Sequence, residues 1–549
     1  MRLEALVQEA VRGALDRLGL SPPEEIPVDR PSRADYGDLS TRVCFLLGKE
    51  ARRPPQTLAH ELAQTLSPHP AFREVQAVQG FLNFFLRPET LHGVLREILA
   101  QGLAYGKGTE GQGRRLQVEF VSSNPTGPLT IGHGRQAALG DVLANLFSEL
   151  GFEVTREYYL NDEGRQIELL AQSLWARYRQ ALGDPEPIPE GGYHGDYLIP
   201  IGEELAQKFG NAYPQWNAEA KAVFRAEVVP RMLRLIEEDL EAIGVRFDVW
   251  TREGEIIRKG LVDEVLRILR EKGAVYEKDG AIWLSSKAHG LSRDPVLIRS
   301  DGTPTYLMVD IAYHLDKFRR GFDWVVDVQG ADHVEEQQQV KLALRLLGLP
   351  ENFLSYCLHQ FVTLKGAEGI EKMSTRAGRF LRLKDLVDEV GRDATRYFMV
   401  MRKPESHLVF DFELAKKQSL ENPVYYVQYA HTRIASVFRE ARARGEMPED
   451  LLSVDLSPLS DPDELRLIRE FDRFPDVLRL SAFDFSPHLL CEYLEGLAYP
   501  LYFPVRVRKG PVFFREARRR QDHVGKGGGF VWKMSNTTRN SSFFRASAT

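Results

Sequence analysis

The chain has 549 residues, of which 43% are hydrophobic and 27% are charged, and its formal net charge is -6 at pH 7. This length exceeds what a single hydrophobic core can organise, and about two to four domains are expected. No stretch approaches the roughly 18 apolar residues that cross a bilayer. The N-terminus, MRLEALVQEAVRGALDRLGL, is amphipathic and lacks the apolar segment of a signal peptide. We therefore expect a globular, cytoplasmic protein.

The cysteines and the net charge exclude further classes. Cys44, Cys357 and Cys491 are isolated from one another, which argues against a disulfide framework and against a cysteine-rich zinc site. They are expected in the core. An acidic chain has no global attraction for nucleic acid, and any RNA binding would need local basic patches.

The first part of the chain, to about residue 88, has helical patterns followed by a strand-like segment, residues 80–86. A glycine-rich polar segment, GKGTEGQGRR, follows and is typical of a linker or exposed turn. The sequence therefore predicts a domain boundary near residue 108.

A strand, a loop and a helix come next. Residues 116–121 alternate and are rich in β-formers, which predicts a strand. Prolines and a glycine interrupt residues 125–128, and apolar spacing from Gly132 predicts a helix that ends at Gly151. A second strand is predicted over residues 152–159. This βαβ order is typical of a doubly wound parallel sheet.

The rest of the chain divides into three parts. Residues 181–200 are rich in proline and glycine and are predicted to lie in an insertion of the same domain. Helices dominate 200–275, and strands are predicted at 281–284, 295–298 and 324–328, the last apolar as central parallel strands are. From about residue 385 to about 500 the pattern is helical. Residues 499–549 are basic and lack a helical period, which predicts a poorly ordered or aberrant tail, although such a tail could touch RNA.

Two loops have features of phosphate-binding sites. Gly132, His133 and Gly134 open the predicted helix, where unpaired N–H groups and the helix dipole favour phosphates and where His133 could donate to a phosphate oxygen. His133 could equally be a helix cap. Lys372 and Ser374 lie in a second loop, flanked by glycines, that could swing onto a leaving pyrophosphate or could simply be a solvated basic loop.

Further candidates could bind a planar cation. Glu253 and Asp310 are acceptors for bidentate hydrogen bonds from a guanidinium, and Tyr306 offers an aromatic face. Each acid could instead be a surface residue or a helix cap. Residues 330–333 follow a buried strand, at the end where open α/β sheets bind ligands.

These segments together resemble a known family. Residues 130–133, Thr-Ile-Gly-His, match the first class I aminoacyl-tRNA synthetase signature with its leading histidine replaced. Residues 372–376, Lys-Met-Ser-Thr-Arg, match the second signature with its later lysine replaced. Residues 118–128, 159–162 and 421–431 are similar to arginyl-tRNA synthetases of bacterial type. The resemblance covers residues 1 to about 497.

The resemblance implies a fold and a domain layout. We expect an α/β protein with an N-terminal α+β domain over 1–108 that contacts the tRNA elbow. A Rossmann-type catalytic domain with insertions would follow over 109–385. An all-α helical-bundle domain over 386–498 would bind the anticodon, and 499–549 would be an atypical basic tail.

The resemblance also implies residue roles. The amino and carboxylate end of arginine would be held by Glu119, Ser122 and Asn124, and its guanidinium would be read by Glu253, Tyr306 and Asp310. The ATP site would comprise Thr130, Gly132, His133, Gly330, Asp332, His333, Lys372 and Ser374. His133 and Lys372 would act on the reacting phosphates, and no protein metal site is assigned.

The implied reaction has two steps. The arginine carboxylate attacks the α-phosphate of ATP, with Mg²⁺ and both loops neutralising charge, and the acyl group then passes to the terminal ribose of tRNA(Arg). The first step is expected to wait for bound tRNA, and a monomer is expected. Two alternatives remain: an adenylate-forming ligase that never meets RNA, and a catalytically inactive tRNA-binding paralogue. The helical region after residue 390 argues against the first, because such a ligase has no need of it.

Overall fold

The computed structural model describes residues 2–331, 334–366, 369–371 and 381–502. The strands within these residues are β1 Val28–Asp29, β2 Leu39–Thr41, β3 Phe72–Val78, β4 Phe81–Leu86, β5 Arg115–Glu119, β6 Glu153–Leu160, β7 Val249–Arg252, β8 Val275–Lys278, β9 Ala281–Leu284, β10 Val296–Ile298, β11 Trp324–Gly330, β12 Leu354–His359, β13 Val362–Gly366, β14 Gly369–Glu371 and β15 Leu408–Asp411.

The α-helices of the same residues are α1 Leu3–Arg17, α2 Val43–Leu47, α3 Pro55–Thr65, α4 Pro88–Gln101, α5 Ile131–Glu149, α6 Arg165–Ala181, α7 Leu198–Phe209, α8 Ala218–Ile243, α9 Glu253–Arg258, α10 Leu261–Glu271, α11 Tyr306–Arg319, α12 Val334–Leu347, α13 Leu383–Val390, α14 Arg392–Val400, α15 Phe412–Lys416, α16 Pro423–Ala443, α17 Pro462–Asp472, α18 Phe474–Phe483 and α19 His488–Tyr502.

The chain separates into two compact units. The first unit holds the described parts of Met1–Gly106, Tyr429–Asp476 and Glu495–Thr549, and the second holds those of Lys107–Gln428 and Val477–Leu494.

The first unit is built on an antiparallel sheet with strand order β1-β2-β4-β3. Its core takes apolar side chains from α1 to α4, from the sheet, and from α17 through Ile468. The carboxylate of Asp472 ties α17 to the beginning of the chain, because it accepts hydrogen bonds from Leu3 N at 3.3 Å and from Arg30 Nη2 at 2.6 Å. The sequence pattern predicted β4 of this sheet but missed the other three strands; β1 and β2 are too short to show a period, and β3 was missed despite its seven residues.

The second unit contains the predicted parallel sheet. Its strand order is β12-β11-β5-β6-β7, and every neighbouring pair is parallel. The strand–helix–strand unit β5-α5-β6 is confirmed within two residues of the predicted bounds. Helices α10 to α12 form a core with β11 and β12, and α6, α7 and α8 form another. The α/β architecture with an α+β first part is confirmed.

Three predictions need correction or restriction. The stretch after residue 385 is not wholly helical, because β15 pairs in parallel with β13. Helix α19 extends to Tyr502, past the start of the predicted tail at residue 499. The rest of that tail, 503–549, lies outside the described residues. Of the two alternatives for the glycine-rich segment before β5, the linker is wrong, because Gly111 N donates to Leu150 O of the second unit at 2.8 Å, and the segment is instead a turn with mostly exposed residues. All three cysteines are buried free thiols, as expected.

Candidate active site

The centre of the parallel sheet is its topological switch point. The chain leaves β5 for β6 on one side, while β11 and β12 extend the sheet on the other. Ligands of open α/β sheets bind beyond the strand carboxyl ends at such a point. Glu119 is the last residue of β5, and Asp327 of β11 lies directly opposite it in the register. Two carboxylates therefore meet where a ligand is expected.

The loop after β5 is strained and supports Glu119. Val121 and Ser122 have φ values of 68° and 38°, a region that non-glycine residues rarely occupy and a β-branched residue almost never. In this conformation Ser122 Oγ donates to Glu119 Oε1 at 2.8 Å and accepts from Tyr159 N at 3.1 Å. The strain thus turns the serine back onto the carboxylate.

Asn124 is fixed in the same loop by its neighbours. Its Nδ2 donates to Gln166 Oε1 of α6 at 2.8 Å. The hydroxyl of Tyr158 donates to Ser123 O at 2.8 Å, and that of Tyr197 donates to Thr126 O at 2.6 Å. Glu119 and Ser122 are thus in direct contact at the end of β5, and Asn124 lies in the same loop.

Glu253 and Asp310 share a neighbour in Tyr159. The Tyr159 hydroxyl donates to Glu253 Oε2 at 2.9 Å, and Glu253, at the start of α9, is only 7% exposed. Burial, followed by the charges of Glu253, Asp310 and Glu119, raises the pKa of Tyr159 well above its usual value. Burial also raises the pKa of Glu253. The charges of Glu253 and Asp310 thus both act on Tyr159, while Tyr306 opens α11 one turn before Asp310 and is 54% exposed.

Helix α11 carries a row of polar side chains that sequence reasoning did not single out. His314 Nδ1 lies 3.2 Å from Asp310 Oδ1, and His314 Nε2 lies 2.9 Å from Asp327 Oδ2. Lys317 Nζ donates to Glu119 Oε2 at 2.6 Å and to Asp327 Oδ1 at 3.1 Å. We name Glu119, Asp310, His314, Lys317 and Asp327 the α11 charge cluster.

Opposite charges set the protonation of this cluster. Burial and Lys317 oppose a proton on His314, but Asp310 and Asp327 outweigh them and raise the pKa of His314 to about 10. Burial disfavours the Lys317 ammonium, yet Asp327 and Glu119 raise its pKa. Burial raises the pKa of Glu119 to about 7 against the opposing charge of Lys317. Two buried cations therefore offset two of the three carboxylates of the cluster at neutral pH.

His133 lies in the first turn of α5 as predicted. Thr130 N donates to His133 Nδ1 at 3.1 Å in a capping arrangement at the helix start. Burial, followed by the charge of His359, lowers the pKa of His133 to about 4. The ring is therefore neutral near pH 7, and because Nδ1 accepts, its proton resides on Nε2. His359 is the last residue of β12 and lies opposite Gly330, the last residue of β11. Gly330 therefore lies beside His359 at the carboxyl ends of the strands.

The described residues that follow the second signature motif lie beside the first signature. Thr130 and Arg382 form an isolated antiparallel bridge, and Leu383 N donates to Leu129 O at 2.8 Å. The buried carboxylate of Asp239 accepts from Leu129 N at 2.8 Å and from Arg382 Nε at 2.7 Å. The chain therefore returns from residues 372–380 to the helix start that carries His133.

Four predicted ATP-site residues lie outside the described part of the chain: Asp332, His333, Lys372 and Ser374. Sequence reasoning also missed Tyr159, His314, Lys317, Asp327 and Asp239. A signal existed for two of them, since an aspartate inside an apolar central strand requires a buried partner and Lys317 follows Asp310 by two helical turns.

Three family models match the chain. Residues 94–420 match the class I (R) tRNA synthetase catalytic domain, 3–86 match the arginyl tRNA synthetase N terminal domain, and 427–502 match the DALR anticodon binding domain. The class of protein is thus that of the class I tRNA synthetases.

Similar whole proteins narrow the class. An arginine–tRNA ligase of Thermotoga maritima is 47% identical over 476 residues, 86% of this chain and 87% of that protein. One of Desulforudis audaxviator is 44% identical over 530 residues, 94% of each. The Thermus thermophilus arginyl-tRNA synthetase structure shares the fold, with a TM-score of 0.71 at 24% identity, covering 94% of this chain and 95% of that one.

The chain belongs to the arginyl-tRNA synthetase family. Ligases of this family use ATP as a substrate, and tRNA(Arg), arginine and ATP are accordingly the partners of the chain. Over the described residues, no helix is both long and apolar enough to span a membrane.

Proposed function

We propose that the residues at the carboxyl ends of the central strands carry out arginine activation and its transfer to the 3′-terminal ribose of tRNA(Arg), with release of AMP and pyrophosphate. The observation that supports this best is the hydrogen bond from the Tyr159 hydroxyl to Glu253 at 2.9 Å, with the charges of Asp310 and Glu119 acting on the same hydroxyl. A dicationic amino acid needs one set of acceptors for its ammonium and another for its guanidinium.

Arginine would lie along this row of acids. Glu119, Ser122 and Asn124 would hold its amino and carboxylate end, because they share the loop after β5. Glu253 and Asp310 would accept the guanidinium fork, with the exposed ring of Tyr306 beside it. Lysine has no such fork, and a buried acceptor left unpaired costs about 1–3 kcal/mol.

ATP would bind at the start of α5 and at the carboxyl end of β11, through Thr130, Gly132, His133 and Gly330. The neutral His133 ring would donate its Nε2 proton to a phosphate oxygen without adding a charge. Asp332 and His333 would complete this site. Lys372 and Ser374 would contact the leaving pyrophosphate, and the anchoring of Arg382 beside Thr130 supports that role.

Mg²⁺ would enter with ATP as part of the substrate. This ion keeps several waters and is usually bound through substrate phosphates and one or two carboxylates. Among the described residues, no group of three His, Cys, Asp or Glu side chains could hold a metal ion. The chemistry is then positioning and electrostatics: the arginine carboxylate attacks the α-phosphorus, and the pyrophosphate oxygen leaves opposite it.

The domain roles follow the family layout. Residues 1–108 would contact the tRNA elbow, 109–385 would form the catalytic domain, and 386–498 would bind the anticodon. The matches over 3–86 and 427–502 support this assignment. The basic residues of 499–549 would form a tail outside these roles. The protein would act as a monomer in the cytoplasm.

The test is arginine-dependent exchange of labelled pyrophosphate into ATP, measured with and without tRNA(Arg). We expect exchange with arginine when tRNA is present. Exchange that needs no tRNA and is not followed by charging of tRNA(Arg) would favour a small-molecule ligase. Retained tRNA binding without exchange or charging would identify an inactive paralogue and overturn the proposal.

A further inference from the structure

A buried lysine lies behind the first of the arginine-binding acids. Lys317 is fully buried, whereas the Glu119 side chain keeps 12% of its surface exposed. The Lys317 ammonium lies 2.6 Å from Glu119 Oε2 and 3.1 Å from Asp327 Oδ1, and its Nζ is 4.4 Å from the centre of the Tyr313 ring. A buried ammonium is costly unless it is paired, and these contacts pair it completely.

The two oxygens of Glu119 are held by different donors. Lys317 donates to Oε2, and the Ser122 hydroxyl donates to Oε1 at 2.8 Å. These two hydrogen bonds fix the plane of the carboxylate. Each oxygen has a second lone pair, which remains available to another donor at the exposed edge.

Charge compensation within the α11 charge cluster is incomplete in one respect. Lys317 and His314 supply two positive charges, and Asp310, Asp327 and Glu119 supply three negative charges when ionised. One carboxylate charge is therefore left for a bound cation. The partly exposed Glu119 is the member with room to accept a ligand ammonium.

We propose that Lys317 is a positioning residue, which favours the ionised form of Glu119 and orients its carboxylate to receive the α-ammonium of arginine. This inference rests on the proposed function. Lys317 acts through Glu119 and does not touch the substrate. Within the α11 charge cluster, His314 contacts both Asp310 and Asp327. The residues proposed for the ammonium and for the guanidinium of arginine are therefore connected through one set of contacting side chains.

Removal of Lys317 has a defined electrostatic effect. The groups that act on Glu119 are Lys317, His314 and Tyr313 of α11, Asp327 of β11, Tyr159 of β6 and Tyr356 of β12. Burial and Asp327 raise the pKa of Glu119, and Lys317 is the main opposing charge. Without Lys317 the pKa rises further, and a protonated Glu119 cannot form the ion pair. Raising the pH should restore it.

The experiment compares arginine with 5-guanidinopentanoate, which is arginine without its α-amino group. Lys317→Met and the double variant Lys317→Met/Asp327→Asn are assayed by pyrophosphate exchange in the presence of tRNA. The double variant removes the charges of both Lys317 and Asp327. A single unpaired charge left in the core could cause misfolding, and the double variant avoids leaving the Asp327 charge without Lys317. We expect the KM for arginine to rise about tenfold or more, because a hydrogen bond to a charged group is lost. The inhibition constant of the desamino analogue should change less than about twofold.

Two controls and a pH profile complete the test. Lys259, which follows α9, pairs with Asp316 of α11 at 3.1 Å and lies outside the α11 charge cluster. Lys259→Met should therefore leave arginine KM unchanged. Lys317→Arg keeps the positive charge and should recover part of the loss. Glu119 already has a pKa of about 7 beside Lys317, so arginine KM should fall as pH rises through 7 in the wild type and should fall only at higher pH in Lys317→Met.

Equal weakening of arginine and of the desamino analogue, or no change in either, would overturn the role of Lys317. A wild-type protein with no arginine-dependent exchange would instead refute the proposed function, so the two failures are distinguishable.

Discussion

Asp310→Asn removes one charge from the proposed guanidinium site and keeps the shape of the side chain. In the structure Asp310 Oδ1 lies 3.2 Å from His314, and its charge acts on the Tyr159 hydroxyl that binds Glu253. A hydrogen bond to a charged group contributes about 1.5–3 kcal/mol. We therefore expect kcat/KM for arginine to fall about 10- to 100-fold.

The fold should tolerate this change. His314 keeps its contacts with Asp327 Oδ2 at 2.9 Å and with the Asp310 carbonyl oxygen at 2.9 Å. The free energy of unfolding should change by less than about 1 kcal/mol. Pyrophosphate exchange at varied arginine concentration, with tRNA present, measures the effect, and thermal unfolding checks stability.

Glu264 provides a matched control. Its side chain is 30% exposed against 31% for Asp310. It lies on α10 and pairs with Arg319 of α11, the helix that carries Asp310. Glu264→Gln should leave arginine kinetics unchanged. Arginine kinetics of Asp310→Asn equal to those of the wild type would refute the assignment of Asp310 to the guanidinium.

Three further predictions concern the phosphate side of the site. Lys372→Ala should slow pyrophosphate release by orders of magnitude while arginine affinity, measured at equilibrium, is retained; lost affinity with normal turnover would contradict its role. His133 has a lowered pKa of about 4, so it stays neutral as pH falls from 8 to 6 and its ring proton resonances should titrate only near pH 4; a ring pKa above 6 would count against this environment. Asp239→Ala breaks the buried pair with Arg382 and should lower the free energy of unfolding by about 3 kcal/mol. It should also raise the KM for ATP. An unchanged KM for ATP would show that the Asp239–Arg382 pair does not support the ATP site.

The central strand–helix–strand unit was predictable because its signals are local. Alternation in β5, breakers in the following loop and a helical period to Gly151 all agree with the observed elements. The short strand β15 was missed for the opposite reason. Its four residues form a strand only because β13 pairs with them, which is a contact between distant parts of the chain.

The glycine-rich segment before β5 shows a second limit. Glycine is typical of flexible linkers and also of tight backbone contacts, and composition does not distinguish the two. A side chain at Gly111 would meet Phe152 N at 2.3 Å, so close packing explains this glycine.

For the site, sequence motifs supplied the residues that are proposed to touch a ligand. They did not identify Lys317 and Asp327, because these residues pair with each other and with other charged side chains of the protein. Their pairing depends on the register of β5 with β11 and on the packing of α11.

The central claim is that two carboxylates select a flat cation beside an ATP site. Pyrophosphate exchange with tRNA(Arg) present, compared between arginine and citrulline, tests it most directly, because citrulline has nearly the shape of arginine without its side-chain charge. We expect exchange with arginine and none above background with citrulline. Equal exchange with both, or none with arginine, would contradict the account.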